Sequence, residues 1–531
     1  MFVLTGVGFN SALAETQTTN RYPAERWQQY QSPQQAGARP HRLEKVEKFY
    51  KKRAFSGLFV VKNGAVVLDW GENARRFPVH SIRKSLLSAL FGIHANDINF
   101  RATLAELNIT DTPWLTDQER TATVFDILAS RSGVYLPAAA ETFAMRQEKP
   151  ARGSNPPGQV WWYNNWDFNV AGTLFQQMTQ EEIFSAFDRY LAKPLQMQDY
   201  RPFDGFYVKD TSEHQAFQFR MSSRDLARVG LLYARKGNWQ GEQILPEAWM
   251  EQSTQAISET NMGDKYPAGY GLMWWVEPEG SFSARGLSSH VLAVYPKQDL
   301  VIVVRSDSYL EKSVSARATK KLLERVVDAM PDDAASQPDL TLLAEPSKET
   351  ASLPQQYQLD DTSLTLENGQ LVRLKQRDNT LFINYGEGDY ELTYKGDNKF
   401  FILDRKEPLE LVLDEKGKLT DINTPRLFYL QAAAAAKRGD LQQAQAWVEK
   451  VIRMSPESAI AYTNLAKLLV AKEQVSVALA KLDIALQLDP NNQQATGLQQ
   501  TLLVQRWWSW LVGLILSLLV MWRLLKVKKF L

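Results

Sequence analysis

Ser81 and Lys84 are the side chains of this sequence whose types and spacing best suit covalent catalysis. They form the only S-x-x-K pattern among the 531 residues, at the start of a run with helical apolar periodicity. On a helix the two side chains share one face, about one turn apart. A serine hydroxyl becomes a useful nucleophile when a neighbouring base takes its proton, and a desolvated lysine can be that base. The spacing therefore predicts a Ser-Lys nucleophile; the competing interpretation is a helix cap followed by a solvated lysine.

Tyr163 and Asn165 form a second polar group. A loop rich in Pro, Gly and Asn at residues 150–157 leads to the sequence W-W-Y-N-N at 161–165, and a helix is predicted to begin near Trp166. A phenol and an amide on a loop before a helix can point into a cleft. The aromatic neighbours also fit a core position, and the pattern recurs in the sequence Y-T-N at 462–464.

A helix and an antiparallel sheet must position these side chains. The helix covers residues 79–92, where apolar residues recur at spacings of three and four. An Asn63-Gly64 turn between two β-rich runs predicts a hairpin before it, and residues 291–304 predict another. With a closing helix at 309–330, this order predicts an α+β fold in which the first and last strands of one antiparallel sheet meet under helices.

The rest of the chain changes character several times. Short β-type runs separated by Gly-containing turns predict a small all-β domain, and a period of 34 residues, marked by Pro456 and Pro490, resembles the tetratricopeptide repeat. Two such units are too few to be stable alone, so they are predicted to pack on a neighbour or to bind a protein partner; a plain helical stalk is the alternative. The predicted segments are 1–14 (signal peptide remnant), 22–330 (the domain with Ser81), 331–353 (linker), 354–426 (β domain), 427–500 (repeats), 507–525 (transmembrane helix) and 526–531 (basic cytoplasmic tail).

The ends of the sequence indicate the location of the protein. A short apolar run and the sequence A-L-A at 12–14 resemble a signal-peptidase site, although no basic residues precede them. Residues 507–522 carry no charge, have tryptophans at both ends and are followed by basic residues. Tryptophans favour the membrane interface and lysines stay on the cytoplasmic side. We therefore expect an exported, single-pass protein held in the membrane by its C-terminal helix, with its bulk outside the cytoplasm.

The composition argues against other classes of function. The formal net charge is +1, which gives no overall field that would gather nucleic acid, and the absence of cysteine excludes thiolate catalysis and disulfides. The five histidines show no H-x-H or H-x-x-x-H spacing, and no G-x-S-x-G occurs. Metal dependence and a Ser-His-Asp mechanism are therefore disfavoured, and no cofactor is predicted.

Five motifs in order resemble the serine β-lactamase-like hydrolases, most closely the branch with class C β-lactamases, D-alanyl-D-alanine carboxypeptidases, esterases and 6-aminohexanoate-dimer hydrolases. The resemblance covers about residues 43–330. The motifs are S-I-R-K at 81–84, L-A-S-R-S-G-V-Y at 128–135, Y-N-N at 163–165, M-S-S-R-D-L-A-R at 221–228 and Y-G-L-M-W-W at 270–275.

The resemblance implies a role for each matching residue. Ser81 would be the acylated nucleophile and Lys84 the proton acceptor during acylation. Tyr163 would relay a proton to the leaving group and activate the deacylating water, and Asn165 would bind substrate and orient Lys84. A hydroxyl nucleophile needs a base, and the oxyanion needs preorganised donors, of which the Ser81 N–H at a helix start is one.

The third family motif, K-T-G or H-x-G in many relatives, is altered. It falls on Ala284-Arg285-Gly286, with Gly286 and Leu287 as the expected source of the second oxyanion donor. The missing lysine or histidine removes a cation that helps hold a substrate carboxylate in β-lactamases, although Arg285 could replace it in part. The sequence thus predicts a small-molecule or peptide ester or amide as substrate. The alternative is a non-catalytic scaffold that binds cell-wall peptides while its repeats recruit partners.

Overall fold

The computed structural model describes residues 21–527 except 311–313, 336, 347–356, 358–361, 366–368, 378–379, 416–417 and 491. The predicted signal segment, residues 1–14, therefore lies outside the described residues, as does most of the predicted basic tail.

The part of the chain before residue 347 contains one large sheet and three short two-stranded ones. Its strands are β1 (Gln28–Tyr30), β2 (Phe55–Lys62), β3 (Ala65–Gly71), β4 (Phe77–Pro78), β5 (Phe206–Val208), β6 (Ala216–Gln218), β7 (Arg220–Met221), β8 (Asn238–Trp239), β9 (Glu242–Gln243), β10 (Ser258–Glu259), β11 (Gly269–Tyr270), β12 (Trp275–Val276), β13 (Phe282–Gly286), β14 (His290–Tyr295), β15 (Leu300–Ser306) and β16 (Leu340–Leu342).

The large sheet has the order β10-β11-β12-β13-β14-β15-β2-β3-β1-β16. All neighbouring pairs are antiparallel except β1 with β3. β2 pairs with β15 over its whole length, from Lys62 opposite Leu300 to Phe55 opposite Ser306. The predicted antiparallel sheet, in which early and late strands meet, is confirmed.

The Asn63-Gly64 turn sets the register of β2 and β3. Asn63 has φ 48° and Gly64 φ 73°, the left-handed pair of a tight hairpin turn. Side chains along β2 alternate between two cores because a strand has a period of two. Phe59 and Val61 belong to one core and Leu58 and Val60 to the other.

Helices cover both faces of this sheet. They are α1 (Pro40–Lys51), α2 (Ile82–Ile93), α3 (Val124–Leu128), α4 (Phe143–Glu148), α5 (Asn165–Thr179), α6 (Ile183–Phe187), α7 (Ser223–Ala234), α8 (Glu247–Ser253) and α9 (Ala316–Ala329). α2 and α5 contribute to the larger core, whereas α1 and α9 pack over the opposite face.

The chain then forms an antiparallel sheet of its own. Its strands, in spatial as well as chain order, are β17 (Thr362–Thr365), β18 (Leu371–Arg377), β19 (Thr380–Asn384), β20 (Asp389–Gly396), β21 (Lys399–Ile402), β22 (Glu407–Leu413) and β23 (Leu419–Asn423). We call these residues, 362–423, the C-terminal sheet. The predicted linker at 331–353 is not wholly irregular, because β16 lies within it and pairs with β1 at the edge of the large sheet.

The last part of the described chain is helical. Its helices are α10 (Pro425–Lys437), α11 (Leu441–Met454), α12 (Ala459–Ala471), α13 (Val475–Leu488) and α14 (Gln493–Val527). α10 and α12 begin 34 residues apart, as do α11 and α13, so the repeat period corresponds to two helix pairs. Their assignment to the tetratricopeptide repeat stays a prediction.

The predicted transmembrane helix at 507–525 lies in the C-terminal part of α14. Among the described helices, none combines the length and the apolar character that a membrane crossing requires. The uncharged run spans residues 507–522, which is 16 residues, whereas a bilayer crossing takes about 20. The prediction of a helix is confirmed, but its membrane-spanning character finds no support in the described residues.

Candidate active site

α2 presents Ser81 and Lys84 from a buried position. Ser81 is the residue before the first helical turn, and Lys84 lies within that turn, as the spacing predicted. Further along the same face of the helix, two buried hydroxyls hold it in place: Ser85 Oγ donates to Met273 O at 2.6 Å and Ser88 Oγ to Leu272 O at 2.8 Å. α2 is therefore fixed against the segment between β11 and β12.

The start of α5 presents Tyr163 and Asn165. Asn164 caps this helix, because its side-chain oxygen accepts the N–H of Trp166. Its amide nitrogen donates to Val134 O at 2.6 Å and to Asp167 Oδ1 at 2.7 Å. The segment on either side of Asn164 is thus held by buried hydrogen bonds, which orients the phenol and the amide next to it.

The structure brings these four side chains together around the amine of Lys84. Lys84 Nζ lies 3.0 Å from Ser81 Oγ, 2.7 Å from Tyr163 Oη and 2.9 Å from Asn165 Oδ1. Lys84 is only 1% exposed, whereas Ser81 and Tyr163 are half-buried. The amine is sealed in the protein while the hydroxyl and the phenol are open to solvent in part.

The donors and acceptors around Lys84 indicate how the amine can accept the proton of the Ser81 hydroxyl. Asn165 Nδ2 donates to Ala140 O at 2.8 Å, so Asn165 turns its oxygen to Lys84 and can only accept there. A neutral lysine has two N–H donors and one lone pair. When a neutral Lys84 donates its N–H groups to Asn165 Oδ1 and Tyr163 Oη, its lone pair is left for the Ser81 hydroxyl, which is the arrangement of a general base.

The pKa directions agree with this arrangement. Burial, and secondly the neighbouring charge of Arg83, holds the pKa of Lys84 well below its usual 10.5. Burial raises the pKa of Tyr163 to about 12, against smaller lowering contributions from Ser81 and Arg83. Of the two groups, Lys84 is therefore the one that loses its proton more readily, and Tyr163 keeps its own.

Arg83 is a functional candidate that our sequence reasoning did not select. It is 2% exposed, and its Nη2 donates to Asn169 Oδ1 at 2.9 Å. Asn169 in turn donates to Ala139 O at 3.1 Å, one residue before the acceptor of Asn165. The signal in the sequence was the arginine directly before Lys84 in a largely apolar helix. A fixed cation at that position opposes protonation of the Lys84 amine.

The altered third motif lies at the end of β13. Gly286 is adjacent to the residues before the nucleophile: a Cβ on it would lie 2.6 Å from Val79 O and 3.1 Å from His80 Cβ. Leu287 follows at the surface and is 58% exposed. The structure thus brings Gly286 close to the start of α2, where an oxyanion donor is expected.

A cavity of about 500 Å³ borders this strand end. Its lining includes His80, Tyr266, Arg285, Gly286 and Leu287. Arg285 is 8% exposed, and its Nε donates to Ser283 Oγ at 2.9 Å. A guanidinium therefore lines the cavity beside the third motif.

An aromatic stack joins the phenol of Tyr163 to that cavity. Tyr163 stacks on Trp275 at 5.4 Å between ring centroids, and Trp275 stacks on Tyr266 at 5.2 Å. Trp161 adds an edge-on contact to Trp275 at 5.9 Å. The wall between the candidate site and the cavity is thus largely aromatic.

Comparison with known families gives one match over most of this region. The Beta-lactamase family model matches residues 44–324, more than half of the 531 residues. An uncharacterized protein from Alkalihalophilus pseudofirmus is 24% identical over 117 residues, which is 20% of this chain and 34% of that protein. This chain thus spans about a third of the length of that relative.

Solved structures resemble the chain at low identity. The octameric penicillin-binding protein homologue from Pyrococcus abyssi is 14% identical, with a TM-score of 0.42 over 72% of this chain and 97% of that one. A penicillin-binding protein homologue from Caulobacter crescentus is 11% identical, with a TM-score of 0.42 over 55% of this chain and 99% of that one.

Proposed function

The chain belongs to the beta-lactamase family, and from this premise we propose that it is a serine hydrolase that cleaves an ester or amide bond through a covalent acyl-enzyme on Ser81. One observation carries the proposal: a single buried amine contacts the hydroxyl of Ser81, the phenol of Tyr163 and the amide oxygen of Asn165.

The reaction follows from the proton positions. Lys84 takes the Ser81 proton as Oγ attacks the substrate carbonyl, and a tetrahedral oxyanion forms. The Ser81 N–H and an N–H at residues 286–287 are the proposed donors to that oxyanion. The leaving group departs with a proton relayed through Tyr163, and Tyr163 and Lys84 then activate the water that hydrolyses the acyl-enzyme.

A serine-directed fluorophosphonate probe tests this function. We expect the full-length protein to be labelled at Ser81, with labelling and hydrolysis both lost in Ser81→Ala, because Ser81 carries the aliphatic hydroxyl that contacts the Lys84 amine. Ser85→Ala is a matched control on the same helix, since Ser85 donates to Met273 O instead. Wild-type protein that reacts with neither this probe nor a fluorescent penicillin would favour the non-catalytic scaffold.

The substrate preference follows from the third motif. The residues at 284–286 lack the lysine or histidine that many relatives carry there, so we propose ester or amide cleavage ahead of β-lactam turnover. p-Nitrophenyl esters, short amide oligomers and D-Ala-D-Ala peptides, compared with nitrocefin by kcat/KM, test the order. Faster turnover of nitrocefin than of every ester would contradict it.

We also propose that the protein is exported and held at a membrane by its C-terminal segment, with residues 22–330, which we call the hydrolase part, outside the cytoplasm. The A-L-A sequence at 12–14 and the tryptophans around residues 507–522 support this location. On α14, Trp507 is 73% exposed and Leu516 is 57% exposed, so apolar side chains are available for a lipid surface. Protein partners for the helix pairs stay a prediction.

A further inference from the structure

Buried charged side chains cluster where the C-terminal sheet meets the hydrolase part. Arg76, Arg201, Arg220 and Asp204 come from the hydrolase part, and Glu391 and Asp404 come from the C-terminal sheet. Arg76 Nε lies 3.0 Å from Asp404 Oδ2, Arg201 Nη1 lies 2.7 Å from Glu391 Oε2, and Arg220 Nη2 lies 3.2 Å from Asp204 Oδ1.

The C-terminal sheet supplies two of the three carboxylates in this cluster. The side chains of Arg220 and Asp204 are 0% exposed, that of Asp404 is 3% and that of Arg76 is 11% exposed. Burial alone would raise the pKa of Asp404, but the surrounding arginines hold it below its usual value, so the carboxylate stays ionised. A buried cation that loses its partner destabilises its surroundings strongly. Without Asp404, the three arginines would have only two carboxylates left in the cluster, those of Asp204 and Glu391.

Asp404 is connected to Ser81 through two short series of contacts. It lies in the turn between β21 and β22, and its main-chain oxygen accepts from Arg75 Nε at 2.7 Å. Arg75 also pairs with Asp307 at 2.6 Å, and the next residue, Ser308, contacts His80 Nε2 at 3.0 Å. His80 directly precedes Ser81. The other route is along the chain itself, from Arg76 to Ser81.

The segment between Arg76 and Ser81 is short and constrained. Tyr309 Oη donates to Arg76 O at 3.0 Å, and Val79 N donates to Phe219 O at 3.0 Å. His80 has φ 49°, a left-handed conformation that a residue other than glycine keeps only when its surroundings impose it. A shift of Arg75 and Arg76 would therefore be passed to the residue that sets the direction of Ser81.

We propose that Asp404 is a positioning residue for Ser81, which it holds in place through Arg75 and Arg76. The C-terminal sheet then contributes to the activity of the hydrolase and is not an independent domain. This inference rests on the proposed function for its kinetic consequence, but its structural consequence, the order of residues 76–84, is measurable without any substrate.

Asp404→Asn in the full-length protein removes the charge and keeps the main-chain bond to Arg75. We expect kcat and the rate of fluorophosphonate labelling to fall about tenfold, with KM within about twofold, because a small displacement of a nucleophile slows the chemical step more than binding. Hydrogen exchange should quicken in peptides covering residues 76–84. Asp404→Glu should recover part of both, since it restores the charge.

Asp421→Asn is the control, because Asp421 is an exposed aspartate on β23 of the same sheet. If Asp404→Asn does not fold, Glu391→Gln removes the other carboxylate that the sheet contributes, at a site 27% exposed, and should give a smaller change of the same kind. Unchanged exchange at 76–84, or a folded variant with full kcat, would overturn the inference. If the wild-type protein does not react with the fluorophosphonate, the proposed function is refuted instead. The hydrogen exchange of residues 76–84 then decides the role of Asp404.

Discussion

At the scale of single residues, the proposed mechanism makes the reaction of Ser81 depend on the charge of Lys84. The amine must be neutral to accept the hydroxyl proton, so acylation slows as the pH falls through the pKa of Lys84. That pKa is lowered by burial and by Arg83, which moves the acid limb of the rate profile well below the range of an ordinary lysine. Tyr163, with a pKa of about 12, stays protonated across the same range and can donate to a leaving group.

The contribution of Arg83 is open to a direct test. Arg83→Met keeps most of the buried volume and removes the charge, so the pKa of Lys84 should rise and the acid limb of the acylation rate against pH should move to higher pH. We expect a shift of about one pH unit, since a neighbouring fixed charge typically shifts a pKa by about this amount. Arg101→Met, at an exposed arginine, is the control. An unmoved acid limb would mean that burial alone sets the pKa of Lys84.

The low pKa of Lys84 also has a cost in stability. Between its lowered folded-state pKa and its ordinary unfolded-state pKa, the unfolded chain binds a proton that the folded protein does not. The free energy of unfolding contributed by this group therefore rises with pH through that window and is least at its acid end. Below the ordinary pKa of lysine, the burial of Lys84 therefore lowers the stability of the folded protein.

At the scale of elements, the first turn of α5 determines where the phenol and the amide lie. Asn164 is 2% exposed, and its side chain makes three hydrogen bonds, with the N–H of Trp166, the main-chain oxygen of Val134 and the carboxylate of Asp167. The Ser132 hydroxyl also donates to Asp167 at 2.5 Å, so the first turn of α5 is tied to the segment after α3. Tyr163 and Asn165 are consequently fixed by a cap between them rather than by their own contacts alone.

Asn164→Ala should therefore affect both stability and activity. We expect the free energy of unfolding to fall by about 2–4 kcal/mol, from the lost cap together with buried groups left without partners. Thr142→Ala, which removes the cap of the peripheral helix α4, should cost about 1 kcal/mol and leave kcat unchanged. Denaturant unfolding and kcat at a temperature where both variants are folded test this. Equal effects of the two variants on kcat would contradict a special role for the Asn164 cap.

At the scale of the whole molecule, the hydrolase part, the C-terminal sheet and the helical part are in contact with one another. The C-terminal sheet supplies carboxylates to the buried arginines of the hydrolase part. α14 also reaches the hydrolase surface, where Thr496 and Gly497 share a cavity wall with Lys52 and Val314. The two C-terminal parts are therefore packed against the catalytic fold and do not simply extend away from it.

The proposed location is tested by fractionating the organism that makes the protein. We expect the full-length chain in the membrane fraction, released by detergent but not by high salt, and accessible to protease from outside the cytoplasm. A chain ending at residue 500 should leave the membrane while remaining exported, because it lacks the apolar C-terminal run. Recovery of the full-length chain in the cytoplasmic fraction would show that both terminal segments were misinterpreted.

The sequence by itself determined the features that depend on near neighbours along the chain. A helix repeats every 3.6 residues, so Ser81 and Lys84 had to share a face, and an Asn-Gly turn had to close a hairpin at residues 63 and 64. The α+β class followed from the order of such elements. The altered third motif at residues 284–286 could also be located from the sequence. It lies a few residues before the hairpin predicted at 291–304, so counting back along the chain was enough to find it.

Only the tertiary structure decided which residues meet across long separations. Tyr163 and Asn165 contact Lys84 from 79 and 81 residues away, and the motif order predicted that meeting only through the family resemblance. The ion pair between Asp404 and Arg76, which are 328 residues apart, had no local signal at all. Such contacts depend on how whole elements pack against one another. Packing brings together residues that are far apart along the chain, and short-range periodicity carries no information about them.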